Sequence, residues 1–261
     1  EKEQFSVDLA KKMGEAGLFG ITMPKELGGQ GLDYLSYVIA IEEIARVDSS
    51  PAATIAAHNS LGITPIFNFG TEEQRQKWIP PLCTGDKLWA FGLTEVNAGS
   101  DAKGVETIAD LENGQWLING SKMFITNAAS DIASGITNLA ITGMDGDKKE
   151  LTAILTPRET AGYQTVPMRG KLMWRSADNA IMTFENCRVP EENILGKRGQ
   201  GIQIMLSTLD GGRLSIAAMG LGLAQGAYEM ALAHSKKRKQ FGRPLAEFQG
   251  IYFKLAEMAT K

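Results

Sequence analysis

Phe91-Gly92-Leu93-Thr94-Glu95-Val96-Asn97-Ala98-Gly99-Ser100-Asp101 and Trp116-Leu117-Ile118-Asn119-Gly120-Ser121-Lys122-Met123-Phe124-Ile125-Thr126-Asn127 are the two stretches on which this chain turns. The first leaves an apolar run and enters a segment crowded with small residues. There, backbone N–H groups and the Thr94 and Ser100 hydroxyls can approach a flat polar ring or a diphosphate. An ordinary strand-to-turn connection would look the same. The second stretch reads as a hairpin turning at Asn119-Gly120, and neither stretch alone names a ligand.

Working outward, short runs at Leu88–Leu93, 115–118, 122–125, 140–142 and 180–184 alternate with turn signals such as Asn113-Gly114 and Asp145-Gly146-Asp147. They predict an antiparallel β domain. On the N-terminal side the period is helical: Phe5, Val7, Leu9, Met13 and Leu18, then a break at Gly28, Gly29 and Gly31, a helix over 34–47, and an apolar stretch over 52–69. Thr71-Glu72-Glu73-Gln74 is a capping-box pattern for a short helix ended by Pro80 and Pro81. On the C-terminal side a helix of more than thirty residues starts near Gly201, with Gly220, Gly222 and Gly226 spaced for close approach of a neighbour. Pro244 marks another helix start. The expected architecture is α+β and multidomain: an all-α unit over 1–88, a β unit over 89–196, and the first helices of a helical bundle over 197–261. The 253–261 pattern stops without a closing signal and two helices cannot bury their own apolar faces, so the chain is expected to be cut inside a larger helical domain.

Bulk properties exclude more than they assign. A formal charge of −3, from 27 basic and 30 acidic residues, offers no general attraction to nucleic acid. No apolar stretch reaches the roughly 20 residues of a membrane-spanning helix and no signal peptide opens the chain, so an intracellular enzyme is expected. Cys83 and Cys187, like His58 and His234, lack metal-ligand spacing, so no metal is expected.

Taken together and in order, the two opening stretches resemble the flavin-binding strands of the acyl-CoA dehydrogenase family. Supporting matches are Gly28-Gly29-Gln30-Gly31, Phe69-Gly70-Thr71-Glu72-Glu73-Gln74, Phe184-Glu185-Asn186-Cys187-Arg188-Val189-Pro190 with Asn193-Ile194-Leu195-Gly196, Thr208-Leu209-Asp210-Gly211-Gly212-Arg213, and Arg238-Lys239-Gln240-Phe241-Gly242-Arg243-Pro244-Leu245. The chain looks most like the short-chain, butyryl-CoA-type branch.

The resemblance implies FAD as cofactor, an acyl-CoA thioester as substrate, electron-transfer flavoprotein as electron acceptor, and a homotetramer built as a dimer of dimers. It assigns Phe91, Leu93, Thr94, Phe124, Ile125 and Thr126 to the flavin, with Thr126 beside its N5 and O4. Ser100 falls to the pyrophosphate or the substrate's pantetheine, and Asp210 and Arg213 to the thioester. Arg238, Gln240, Phe241, Phe248 and Gln249 match positions that reach the adenosine-diphosphate part of FAD in a neighbouring subunit. His58, Asn59, Ser60 and Leu61 are expected on a helix lining the acyl pocket. Ala52 stands where glutaryl-CoA dehydrogenases carry an arginine, which argues against a dicarboxylate thioester.

The catalytic base is a glutamate near the family's C-terminus, or in the isovaleryl-type branch a residue at the place of Gly212; glycine takes no proton. The base is therefore expected outside this chain, and the chain as given is expected to be inactive. Val96 stands where the family has proline, and Leu172-Met173-Trp174-Arg175-Ser176 is bulkier than usual, with packing favoured over a rim contact for Met173 and Trp174. A flavin oxidase, an enoyl-CoA reductase or a monooxygenase on the same scaffold stays open, as does a cofactor-free interaction module. Bacterial cytoplasm and mitochondrial matrix both remain as compartments.

Overall fold

Short polar side chains start the N-terminal helices where the sequence places them. In the computed structural model, which describes residues 3–261, Ser6 accepts from Leu9 N–H at the head of α1 (Val7–Glu15). Asp33 accepts from Ser36 N–H at 2.8 Å to open α2 (Tyr34–Val47), and Asp48 opens α3 (Ser49–Ala57) in the same way. The chain continues through a π-helical turn, His58–Ile63, into α4 (Thr64–Phe69). Thr71 and Gln74 form the expected reciprocal capping box of α5 (Glu72–Cys83). Pro80 and Pro81 do not end that helix. They lie in its last turn, where the two missing backbone donors are offset because the helix continues and buries Leu82 and Cys83 in the cluster that holds Met23, Ile63 and Trp89.

Eight strands follow: β1 (Leu88–Gly92), β2 (Ile108–Glu112), β3 (Gln115–Thr126), β4 (Ala133–Asp145), β5 (Lys148–Pro157), β6 (Tyr163–Pro167), β7 (Asn179–Pro190) and β8 (Ile194–Leu195). Their order is β6-β7-β3-β2-β4-β5-β8, with β1 also on β4. The α, β, α order is as expected, but the sheet is mixed, because β1 and β2 both run parallel to β4. Hydrophobic alternation reports which face of a strand is buried and is silent on the direction of its partner.

The hairpin is also displaced from where the sequence suggested. Asn113 (φ 50°) and Gly114 (φ 74°) make the β2–β3 turn, both in the left-handed region that a tight hairpin needs. Asn119-Gly120 instead lies inside β3, at a register shift against β7. A Cβ on Gly120 would stand 2.5 Å from Thr107 Oγ1, so glycine there admits Thr107 rather than turning the chain.

The chain returns to helix in α6 (Gly201–Lys237), passes through the short ribbon β9 (Lys239–Gln240) and β10 (Arg243–Pro244), and ends the described fold in α7 (Gln249–Thr260). Pro244 belongs to the ribbon and α7 starts five residues later, a correction to the expected start. Helix α6 lies against α2. A Cβ on Gly222 or Gly226 would meet the carbonyl oxygens of Glu42 and Arg46, each at 2.1 Å, whereas Gly220 faces open space. Only two of the three glycines therefore belong to the seam. Gly222→Ala should lower stability by about 2 kcal/mol, because backbone cannot rotate away from the new methyl. Gly220→Ala should raise it by up to about 1 kcal/mol through helix propensity. Urea midpoints that moved in the same direction would rule out this seam. Among the described residues no helix is long and apolar enough to cross a membrane.

Candidate functional site

A slot of about 290 Å³ opens where the end of β1 meets β3. Phe91, Leu93 and Thr94 line it from one strand and the loop that follows; Phe124, Ile125 and Thr126 line it from the other. Met123 N–H donates to Thr94 O at 2.9 Å and holds the two stretches together. All six residues expected at a flavin ring thus share one cavity. Its apolar walls, with hydroxyls at Thr94 and Thr126, suit a flat heteroaromatic ring.

Phe124 is the strained element of this wall. Its φ is 62°, it is 60% exposed, and it sits in the register shift between Lys122 and Ile125. A left-handed φ on a bulky aromatic is costly and persists where surrounding structure imposes it. The bulge turns the ring out of the strand's pleat and onto the slot.

Beneath the loop lies a buried ion pair that sequence reading missed. Lys122 Nζ is 2.7 Å from Glu95 Oε1 and 2.6 Å from Leu139 O, and the lysine is fully buried. Glu95 also accepts from Thr107 Oγ1 at 2.6 Å and from Glu106 N–H at 2.6 Å. Burial alone would raise the Glu95 pKa, but the Lys122 charge and these donors hold it below the usual carboxylate range. Burial pushes Lys122 downward against the opposing pull of Glu95. Backbone bonds between Glu95 and Ala98 close the turn, so Val96, 69% exposed, leaves this loop anchored without a proline. The signal in the sequence was a lysine in phase with Trp116 and Ile118 on the inward face of β3.

A second cavity of about 390 Å³ lies between α3, the π-helical turn and α6. Ala53, Ala56 and Ala57 line one side, with Ser60 and Leu61; Leu209, Gly212, Arg213, Ser215 and Ile216 line the other. Ala57, Leu61, Thr126 and Leu209 border both cavities, so slot and pocket are adjacent and share these four residues as a common wall. Gly212 forms part of the wall, with Leu61 Cδ2 3.2 Å from where its Cβ would be. No carboxylate is among the residues lining either cavity.

The remaining expected residues divide. Arg213 lines the pocket, but Asp210 only pairs with it on the exposed face of α6, an interaction worth little by itself. Ser100 is exposed, one residue beyond Gly99, which lines the slot. His58 and Asn59 do not line the pocket. His58 Nε2 is 2.8 Å from Leu82 O, and Asn59 Oδ1 accepts from Ile21 N–H, so His58 is tied to the end of α5 and Asn59 to the loop after α1 instead. Ala52 is buried in the helical core. Trp174 both packs on that core and lines the pocket, while Met173 is half exposed over a neighbouring cavity. Arg238, Gln240, Phe241 and Gln249 are exposed in or beside the β9–β10 ribbon, and none lines the slot. Phe248 stacks there under Arg243, 4.1 Å from its guanidinium carbon.

The acyl-CoA dehydrogenase N-terminal, middle and C-terminal domains match residues 1–86, 90–187 and 199–261. The short-chain specific acyl-CoA dehydrogenase of Clostridium acetobutylicum is 43% identical over 99% of this chain and 68% of its own length. Among solved structures, butyryl-CoA dehydrogenase from Megasphaera elsdenii is 40% identical with a TM-score of 0.93, over 99% of this chain and 68% of that one. A chain from a structure of the electron transferring flavoprotein of Acidaminococcus fermentans is 42% identical with a TM-score of 0.94, over 99% and 67%. An acyl-CoA dehydrogenase from Bacillus anthracis, complexed with FAD, is 37% identical with a TM-score of 0.91, over 97% and 42%. This chain thus spans about two thirds of the length of the first three. With all three domain types matched in order and 43% identity to that Clostridium acetobutylicum enzyme over 99% of this chain, the chain belongs to the acyl-CoA dehydrogenase family.

Proposed function

We propose that this chain is the flavin-binding part of an enzyme that removes hydrogen from the α and β carbons of a short-chain acyl-CoA thioester and passes the electrons to electron-transfer flavoprotein. The observation that carries it is that the slot and the apolar pocket are adjacent and share a wall that includes Thr126. A ring in the slot and an acyl tail in the pocket would lie side by side across Ala57, Leu61, Thr126 and Leu209, of which Thr126 alone carries a hydroxyl.

Phe91, Leu93, Thr94, Phe124, Ile125 and Thr126 would hold FAD, with Ser100 at the mouth. FAD, when bound, supplies the acceptor for the hydride that leaves the β carbon. The protein's own contribution is placement and exclusion of water. Ala53, Ala56, Ala57 and Ile216 give the tail an apolar seat, and Arg213, with Asp210 beside it, offers donors toward the thioester end. The α proton needs a carboxylate base, and none lines the pocket, so the base is assigned outside the residues described. The exposed Arg238, Gln240, Phe241 and Gln249 and the half-buried Phe248, none of which lines the slot, are assigned to the FAD of a neighbouring subunit in a dimer of dimers. The working compartment would be bacterial cytoplasm or mitochondrial matrix.

The full polypeptide should purify yellow, release FAD on denaturation and bleach with butyryl-CoA in the absence of oxygen. The 261-residue chain assayed with a saturated acyl-CoA and an artificial acceptor should show no turnover. A colourless full-length protein that takes up no FAD would falsify the proposal. Fast reoxidation by air rather than by electron-transfer flavoprotein would move it to the oxidase alternative.

A further inference from the structure

Lys171, Asn179 and Thr126 form one hydrogen-bonded line ending where slot and pocket meet. Lys171 Nζ lies 2.7 Å from Asn179 Oδ1 and 2.5 Å from Ala177 O, and Asn179 Nδ2 lies 2.9 Å from Thr126 Oγ1. An ammonium group can only donate. Asn179 must therefore turn its carbonyl oxygen to Lys171 and its NH₂ to Thr126, which settles the amide orientation by chemistry. Thr126 Oγ1 is then an acceptor from Asn179, and its own proton has no acceptor among the described residues. Thr126 borders the slot, the pocket and a third cavity of about 440 Å³ under residues 168–174, so that proton is free to be donated to a ligand there.

The line is held at both ends. Thr126 and Asn179 are the terminal pair of the β3–β7 ladder, and Met168 N–H donates to Asn179 O at 2.8 Å. The two acids whose charge reaches Lys171 are Asp178 and Glu3. Asp178 is taken up by the N–H groups of Ala129 and Ser130, and Glu3 by Gly170 N–H and Arg175. The ammonium thus has its polar contacts with Ala177 O and Asn179.

We infer that Lys171 and Asn179 are positioning residues for hydride acceptance. Lys171, acting through Asn179, fixes the Thr126 hydroxyl as a donor toward the ring in the slot and strengthens it. Hydrogen bonds in series polarise one another, and a cation at the far end adds in the same sense. A donor fixed in advance stabilises charge that grows on the ring as it is reduced. This inference rests on the FAD reading above.

The test uses the full-length protein with FAD bound and reads the midpoint potential of the cofactor by dye equilibration, beside its visible spectrum. Lys171→Met should weaken the preference for reduced FAD about tenfold, a fall of about 30 mV for a two-electron couple. Lys171→Arg should restore most of it. In a Thr126→Val background the Lys171→Met effect should vanish, because the line no longer reaches the ring. Asn179→Val serves as the second probe if Lys171→Met does not fold, with the same expected fall and the same dependence on Thr126. An unchanged potential, or a fall of equal size with and without the Thr126 hydroxyl, overturns the relay while leaving FAD binding intact. A wild-type protein that takes up no FAD overturns the functional proposal itself and the relay with it.

Discussion

Lys122→Met should cost about 3–5 kcal/mol of folding stability, a large share of the total for a domain of this kind. The substitution leaves Glu95 with its charge in the protein interior and no cation beside it, while the Thr107 and Glu106 donors remain aimed at it. The penalty is that of an uncompensated buried charge and is larger than the net worth of the pair. Accordingly, Lys122→Met combined with Glu95→Gln should recover most of the loss, since no charge is then stranded. Urea unfolding with unchanged slope is the measurement. A loss below about 1 kcal/mol for the single variant would show that the pair is not buried as described. Because Glu95 follows Thr94 directly, the single variant should also lose FAD more readily on dilution than the double.

Acidification should expose the second large effect, through His58. Its Nδ1 faces Trp89 N–H at 3.3 Å and its Nε2 faces Leu82 O at 2.8 Å. An amide N–H can only donate and a carbonyl can only accept, so the ring is neutral with its proton on Nε2. Burial drives its pKa down to about 4 from 6.5. Between those values the unfolded chain binds a proton that the folded protein refuses. Stability is therefore fully present above pH 6.5 and falls as the pH drops toward 4, by about 3 kcal/mol over the whole window. Between pH 7.5 and pH 5 the fall should be about 2 kcal/mol, above the range where most carboxylates titrate. His58→Gln should flatten the profile over that interval. A histidine-independent slope of the same size would assign the effect elsewhere.

Much of this architecture was legible because its signals are local. The helical stretch over 34–47 gives α2, and Thr71 with Gln74, groups three residues apart, gives the head of α5. The two stretches around Thr94 and Thr126 were legible as a pair through resemblance, and their side chains do converge on one slot. What stayed hidden depends on partners distant in sequence. Asn119-Gly120 has the composition of a turn, yet its glycine admits Thr107 across the sheet. Lys122 looks like a misplaced surface residue until Glu95, 27 positions earlier, is brought beneath it. Pro80 and Pro81 are local breakers overruled by burial of the residues that follow. His58 and Asn59 share a helical stretch with Ser60 and Leu61, and only packing reveals which of the four face the pocket.

The wide turn from His58 to Ile63 carries a consequence for how the molecule tolerates change in length. A π turn holds one residue more than an α turn, so it acts as a phase step between the alanine-rich helix that seats the pocket and the next helix, whose Ile66 is fully buried. Removing one residue from this step would restore an ordinary helix while rotating everything beyond it by about 100°. Ile66 would then swing toward solvent and Phe69 with it. Pocket and core here are held in mutual register by a single surplus residue, so a one-residue deletion in this turn should disturb both at once.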